Sequence, residues 1–211
     1  VYTALQDLSI VIPAYNEAAR ITPSIERIRA WIAEHAPQTE ILVVNDGSSD
    51  NTTEVVKHAL QGMERGRVLE NPGNRGKGYS VRHGMLEASG AWILMCDADL
   101  STPIEELKTL ADHAENSPVV IGSRGMKESQ ILEHQPLYRE TMGRIFNLMV
   151  QAIALPGIRD SQCGFKLFRT DAAQEVFSRS TIDGFGFDVE ALFLARRLGY
   201  AIAEVPVQWI N

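Results

Sequence analysis

The chain is poor in cysteine, with only Cys96 and Cys163 in 211 residues. The two stand far apart and lack a CxxC partner. They build neither a disulfide framework nor a zinc site, and both read as reduced thiols of a cytosolic setting. The five histidines show no paired ligand spacing. Basic charge is also short. Lys and Arg number 20 against 27 Asp and Glu, a net charge of −7, which leaves no excess to track nucleic-acid phosphates and argues against a general nucleic-acid binder. A local basic pocket stays open. No secretory signal is visible, and no apolar run approaches the roughly 20 residues needed to span a bilayer. No GxGxxG follows the first apolar run, which argues against a dinucleotide site. Hydrophobic residues reach 45%, enough for a full core without disulfides or structural metals. A chain opening at Val1 and closing on the strand-like Val205–Asn211 is expected to be cut from a longer protein.

Apolar runs of strand length alternate with helical periodicity. Leu8–Pro13 is the first run; Ile21, Ile25, Ile28 and Ile32 then recur at the spacing of one helix face. Thr22-Pro23 is expected at that helix's start. Glu40–Val44 stops at Asn45-Asp46-Gly47, and Asp50 is placed to cap a helix through Val55, Val56, Ala59 and Leu60. Arg67–Glu70 is a short third strand, followed by a glycine-rich turn and a helix through Val81, Met85 and Leu86. A fourth run leads to Asp97. Thr102-Pro103-Ile104-Glu105 reads as a capping box, and Pro118–Gly122 as a fifth strand. The alternation predicts an α/β fold with a mainly parallel central sheet flanked by helices. Beyond Gly122 the pattern loosens. A polar loop over 123–136, a helix over 137–155, a strand within 160–169 and a helix from Phe187 to Leu198 are expected. The domain organisation read here is one domain, with a nucleotide-binding half over about 1–123 and an acceptor half over about 124–211.

Sites in such sheets form at the carboxyl ends of the strands. Three polar tips fall there: Tyr15-Asn16-Glu17, Asn45-Asp46-Gly47 and Asp97-Ala98-Asp99. The last follows the apolar run Ala91–Cys96. Two carboxylates one residue apart at a strand end suit Mg²⁺ or Mn²⁺, with a diphosphate completing the shell. The alternative is a pair of loop or capping acids.

The segments Val11–Glu17, Val44–Asp50, Asp97–Ser101 and Gly122-Ser123-Arg124 together resemble family 2 glycosyltransferases, more narrowly the polyprenyl-phosphate (dolichyl-phosphate) mannose and glucose synthases. Asn74–Gly78, Asp160–Lys166 and Gly186–Glu190 are most similar to the dolichyl-phosphate β-glucosyltransferase branch. The resemblance runs from about residue 9 to residue 209, seven motifs in order. It implies a GT-A (Rossmann-like) fold and transfer of a hexose from a nucleotide sugar, UDP-glucose before GDP-mannose, to a polyprenyl or dolichyl phosphate.

By that resemblance Pro13, Tyr15 and Glu17 line the nucleotide pocket, and Val44 and Asp46 contact base and ribose. Arg75 and Lys77, in a glycine-spaced loop before a helix, serve the diphosphate. Asp97 and Asp99 hold the metal, Ala98 passes its backbone near the sugar nucleotide, and Ser101 assists through its hydroxyl or a water. Arg124 and Arg139 serve the acceptor phosphate or the sugar-phosphate, since guanidinium forks match phosphate geometry. Structural alternatives stay open: a first-turn role for Glu17, a turn for Asp46-Gly47, solvated cations for Arg75 and Lys77, a surface ion pair for Arg139.

A phosphate monoester, with a second pKa of about 6, is largely dianionic at neutral pH and attacks without a general base. This predicts direct, inverting, metal-assisted displacement, with Asp99 and Arg124 stabilising charge. A hydroxyl acceptor needs a base, for which Asp188 is the candidate. The alternatives are a family 2 enzyme acting on a saccharide hydroxyl, and a donor-binding domain inactive without the basic segment that the resembling synthases place beyond Asn211. A haloacid-dehalogenase reading of Asp97–Ser101 is disfavoured, since three βα units precede it. The stretch Arg144–Leu155 fits either core packing or a membrane interface. The expected location is cytoplasmic, at the cytoplasmic face of a membrane if that stretch meets lipid.

Overall fold

The structure is a computed structural model and describes residues 6–126, 129–131 and 149–210. Seven strands form the main sheet: β1 (Leu8–Ala14), β2 (Glu40–Asn45), β3 (Gly66–Glu70), β4 (Trp92–Cys96), β5 (Val119–Ser123), β7 (Phe165–Arg169) and β8 (Ile202–Pro206). Their order is β3-β2-β1-β4-β7-β5-β8. Every pairing is parallel except those of β7, which runs antiparallel to both β4 and β5. A separate parallel pair joins β6 (Gln130–Ile131) to β9 (Gln208–Trp209).

Strands β1 and β2 are buried along their whole length, as expected of parallel strands covered on both faces. Alternate side chains serve opposite layers. Ile10, Ile12, Ile41 and Val43 meet the isoleucine face of α1 (Ile21–His35), with α2 (Thr52–Ala59) and α4 (Leu107–Ala114). Val11, Leu42 and Val44 meet α3 (Lys77–Glu87), α5 (Thr170–Phe177) and α6 (Phe187–Arg197). This period-two division is the pleat of the strands. Among the described residues no helix is long and apolar enough to cross a membrane.

Two local expectations are corrected. Helix α1 begins at Ile21 behind Arg20, not at Thr22. Pro23 then falls in the first turn, where its missing N–H has no intrahelical partner to lose. Thr102 makes no capping box; its hydroxyl faces Cys163 Sγ at 3.8 Å, Glu105 pairs with Arg27 at 2.9 Å, and Ile104–Glu106 is a single 3₁₀ turn. The strand order is set by tertiary pairing: β4 and β5 are not neighbours. Strand β7, drawn from the expected 160–169 region, inserts between them, so the chain beyond residue 123 enters the same sheet as the chain before it. The expected 137–155 helix lies largely outside the described residues; of its last part, 149–153 is helical, with Val150 and Leu155 buried and Met149 and Ile153 exposed.

Candidate active site

The carboxyl ends of β1, β2 and β4 open onto a cleft of about 390 Å³, lined in part by Pro13, Tyr15, Glu17, Asp46, Lys77, Asp97, Ala98 and Asp99. These residues were separated by up to 86 positions in the chain; parallel pairing of β1 with β2 and β4 brings their ends together. Asn74, Gly76, Ser80 and Phe185 also line it. None of these four had been singled out, though Asn74 and Gly76 sit within the loop assigned to phosphate.

Asp97 is fixed from two sides. Strand β7 pairs Phe165 with Cys96, which carries Gly164 beneath the next residue, Asp97. An added Cβ on Gly164 would stand 2.0 Å from Asp97 Oδ2, so the carboxylate occupies the space that any other residue's side chain would take. On the other side Lys77 Nζ stands 2.6 Å from Asp97 Oδ1. That contact is an ion pair, and no other group donates to the buried Oδ1. Burial works against the Lys77 ammonium, but the charge of Asp97 and its direct contact, with the charges of Asp188 and Asp99, outweigh it and hold its pKa above the ordinary value. Asp99 is exposed, and its Oδ1 accepts the Ser101 N–H at 3.0 Å. Between them Leu100 takes a left-handed φ of 51°, an unfavourable conformation for a bulky residue and one that concentrates at functional sites.

The donor set fits a divalent cation in part. Asp97 and Asp99 offer hard oxygens, one of which is paired with Lys77. Among the described residues no group of three or more His, Cys, Asp or Glu side chains gathers to hold an ion. Two carboxylates at a cleft floor suit Mg²⁺ or Mn²⁺ only when diphosphate and water oxygens supply the remaining ligands.

Asp46 is buried, and its carboxylate organises the adjacent loop. Oδ1 accepts from Asn71 Nδ2 at 2.8 Å and from the Arg75 N–H at 2.9 Å; Oδ2 accepts from the Gly76 N–H at 2.8 Å. Gly76 has φ 105°, and a side chain there would strike the Asp183 carbonyl at 2.4 Å. Asp183 in turn faces Arg82 at 2.6 Å and Arg75 at 3.9 Å, and both guanidinium groups lie over the Tyr79 ring. The 74–78 loop is thus locked to β2 on one side and to the segment before α6 on the other. Lys77 enters the cleft; the Arg75 side chain does not line it.

Tyr15 is exposed at the cleft edge. Glu17 lines the cleft, but both its oxygens are held by Arg20 at 2.9 and 3.0 Å. Burial raises the Glu17 carboxyl above its ordinary value, with Arg20 opposing and Asp99 and Asp50 adding to the rise.

Three expected site residues stand elsewhere. The Val44 side chain is fully buried against α3: a Cβ on Gly84 would meet Val44 Cγ2 at 2.9 Å. Helix α3 covers it, so the side chain lies in the core and does not line the cleft. Arg124 grips Asp160 with two bonds of 2.7 and 3.0 Å, while its own N–H donates to Asp160 Oδ2 at 3.0 Å; its guanidinium lies 5.7 Å from the Trp209 ring centre. Asp188 is buried in an ion pair with Lys166, whose ammonium also donates to the Cys163 carbonyl at 2.6 Å. Burial pushes the Asp188 carboxyl up, with Lys166 opposing. Neither Arg124 nor Asp188 lines the cleft. Arg139 lies outside the described residues. Lys166 and Asp160, partners of these groups, were legible only as members of a motif with no role assigned. The thiols take no part: burial raises both, that of Cys163 to about 11.

The model of the Glycosyl transferase family 2 family matches residues 9–177. A dolichyl-phosphate beta-glucosyltransferase of Trichomonas vaginalis is 37% identical over 212 residues, covering 95% of this chain and 63% of that protein. The Drosophila melanogaster protein of the same name is 37% identical over 220 residues, covering 96% of this chain and 67% of its own length. The chain therefore spans about two thirds of these curated relatives. Among solved structures, glucosyl-3-phosphoglycerate synthase of Mycobacterium tuberculosis, in complex with Mn²⁺, uridine diphosphate and glucosyl-3-phosphoglycerate, superposes with a TM-score of 0.73 at 20% identity, covering 97% of this chain and 71% of that one. At that identity the likeness shows the fold, GT-A.

Proposed function

Since the chain belongs to glycosyl transferase family 2, we propose that it transfers glucose from UDP-glucose to a dolichyl or other polyprenyl phosphate, assisted by Mg²⁺ or Mn²⁺. The names of the relatives favour glucose and the lipid phosphate. A fold neighbour seen with Mn²⁺ and uridine diphosphate accords with the choice of donor and metal.

One observation carries the acceptor class: each carboxylate described in or beside the cleft already has a task. Glu17 is held by Arg20, Asp46 by its three N–H donors, and Asp188 by Lys166. Asp97 and Asp99 are the metal candidates. With those two assigned to the cation, no uncommitted carboxylate remains among the described lining residues to deprotonate a hydroxyl. A phosphate acceptor needs none, because its dianion is the nucleophile at neutral pH.

In this reading Tyr15 flanks the base, and the Asp46-anchored loop presents Lys77 to the diphosphate. Asp97 and Asp99 would hold the cation, which when bound neutralises the departing diphosphate. An acceptor phosphate oxygen forms the new bond to the anomeric carbon as the bond to the diphosphate breaks, giving inversion. Catalysis then rests on positioning and charge stabilisation. The test is transfer from UDP-glucose and GDP-mannose to a short polyprenyl phosphate and to a saccharide, with Mn²⁺ or with a chelator, alongside donor binding. Metal-dependent transfer from UDP-glucose to the lipid phosphate is expected. Transfer to the saccharide alone, or donor binding indifferent to metal, would overturn the reading.

A further inference from the structure

Lys77 and the cation compete for one oxygen. The ammonium stands 2.6 Å from Asp97 Oδ1, and no other group donates to that oxygen. The other oxygen of Asp97 lies over the bare Cα of Gly164, so the carboxylate is seated between that glycine and the ammonium. Lys77 is also the first residue of α3, beside Asn74 and Gly76 on the cleft wall. A flexible four-carbon stem lets its ammonium swing along that wall while its backbone stays fixed.

We infer that Lys77 is the resident counter-ion of Asp97 and makes metal loading depend on the nucleotide. A divalent cation on Asp97 places two like-signed charges at one carboxylate unless the ammonium leaves. A diphosphate in the same cleft gives the ammonium a new anionic partner and gives the cation further oxygen ligands. Metal and nucleotide then load cooperatively, and the coupling is reciprocal. The inference rests on the reading of this cleft as the donor site, and it assigns Lys77 a role in the order of loading beyond holding phosphate.

The test is titration of Mn²⁺, followed by water-proton relaxation, with and without uridine diphosphate. The unaltered protein should bind Mn²⁺ weakly alone and more tightly with the nucleotide. Lys77→Met should bind Mn²⁺ alone about tenfold more tightly, within the usual range of coupling factors, and the nucleotide-linked gain should shrink by a similar factor. Lys77→Gln should behave as Lys77→Met does, which removes the charge while keeping a polar group; Lys77→Arg should keep the original pattern. Circular dichroism and thermal melting establish that each variant is folded. Unchanged or weaker Mn²⁺ binding by both neutral variants overturns the inference while leaving the donor site intact. No Mn²⁺ binding to the unaltered protein even with uridine diphosphate overturns the donor-site reading and the inference with it.

Discussion

Asp97 and Gly164 occupy one shared space: a Cβ on Gly164 would lie 2.0 Å from Asp97 Oδ2 and 2.3 Å from its Cγ. The antiparallel pairing of β7 with β4 creates this contact. Gly164→Ala should therefore act on the site more than on the fold. The obstructing atoms belong to the end of a side chain that can turn aside, so the expected loss of stability is about 1–3 kcal/mol. Turning aside takes the carboxylate from its place, and metal-dependent donor affinity should fall roughly 10- to 100-fold, as when the support of a metal ligand is lost. Calorimetric titration with uridine diphosphate and Mn²⁺, beside a denaturation curve, reads both effects.

Asp46→Asn should loosen the 74–78 loop. The carboxylate accepts from three N–H donors, whereas an amide turns one acceptor into a donor facing another donor. The expected destabilisation is about 1–3 kcal/mol, with weaker nucleotide binding because Gly76 and Lys77 lose their anchor. Equal nucleotide affinity in the variant and the parent would contradict this account of Asp46.

The buried Lys166–Asp188 pair separates structural from catalytic loss. Asp188→Asn leaves an uncompensated buried ammonium and should cost about 3–5 kcal/mol. Lys166→Met combined with Asp188→Leu should regain most of that, since an apolar pair replaces an ion pair at similar volume. Urea denaturation of the parent, the single variant and the double variant tests the expectation. Activity in the double variant would also exclude Asp188 as a required base.

The Arg124–Asp160 pair should leave a signature in acid. Burial raises the Asp160 carboxyl, but the hydrogen bonds and charge of Arg124 outweigh it and hold it below the ordinary Asp value of 3.8. A depressed folded-state pKa contributes stability that is fully present above 3.8 and is lost as pH falls through the folded-state value. Asp160→Asn should thus be less stable than the parent at neutral pH, and the two should converge as the solution is acidified below that value. Denaturation midpoints measured from pH 7 downward give the comparison; a gap that stays constant through the acid range would refute it.

Much of this was legible from local pattern. The isoleucine stripe of α1 and the continuous apolar runs of β1, β2 and β4 are consequences of period and burial, which are written along the chain. Tyr15, Glu17, Asp46, Asp97 and Asp99 were identifiable because a parallel sheet gathers its strand ends on one edge. Val44 was misplaced in depth: two residues before Asp46, its side chain lies under α3 with Val11 and Leu42, whereas Asp46 stands past the strand end and reaches the loop ahead of that helix. Lys166 was hidden for a related reason, since a lysine in a strand pattern gives no sign of being central until its counter-charge is found 22 residues on.

The sequence by itself determined the element types, the two-layer burial and the acidic, polar and basic residues at the strand ends, because these follow from backbone propensity and hydrophobic period. Only the tertiary structure decided the placement of β7 between β4 and β5, since strand order and direction are set by long-range pairing and leave no local period. That placement seats Asp97 on Gly164, and the packing of α6 on the same sheet seals Asp188 against Lys166. It thereby decided which carboxylates are committed to the fold and which face the cleft.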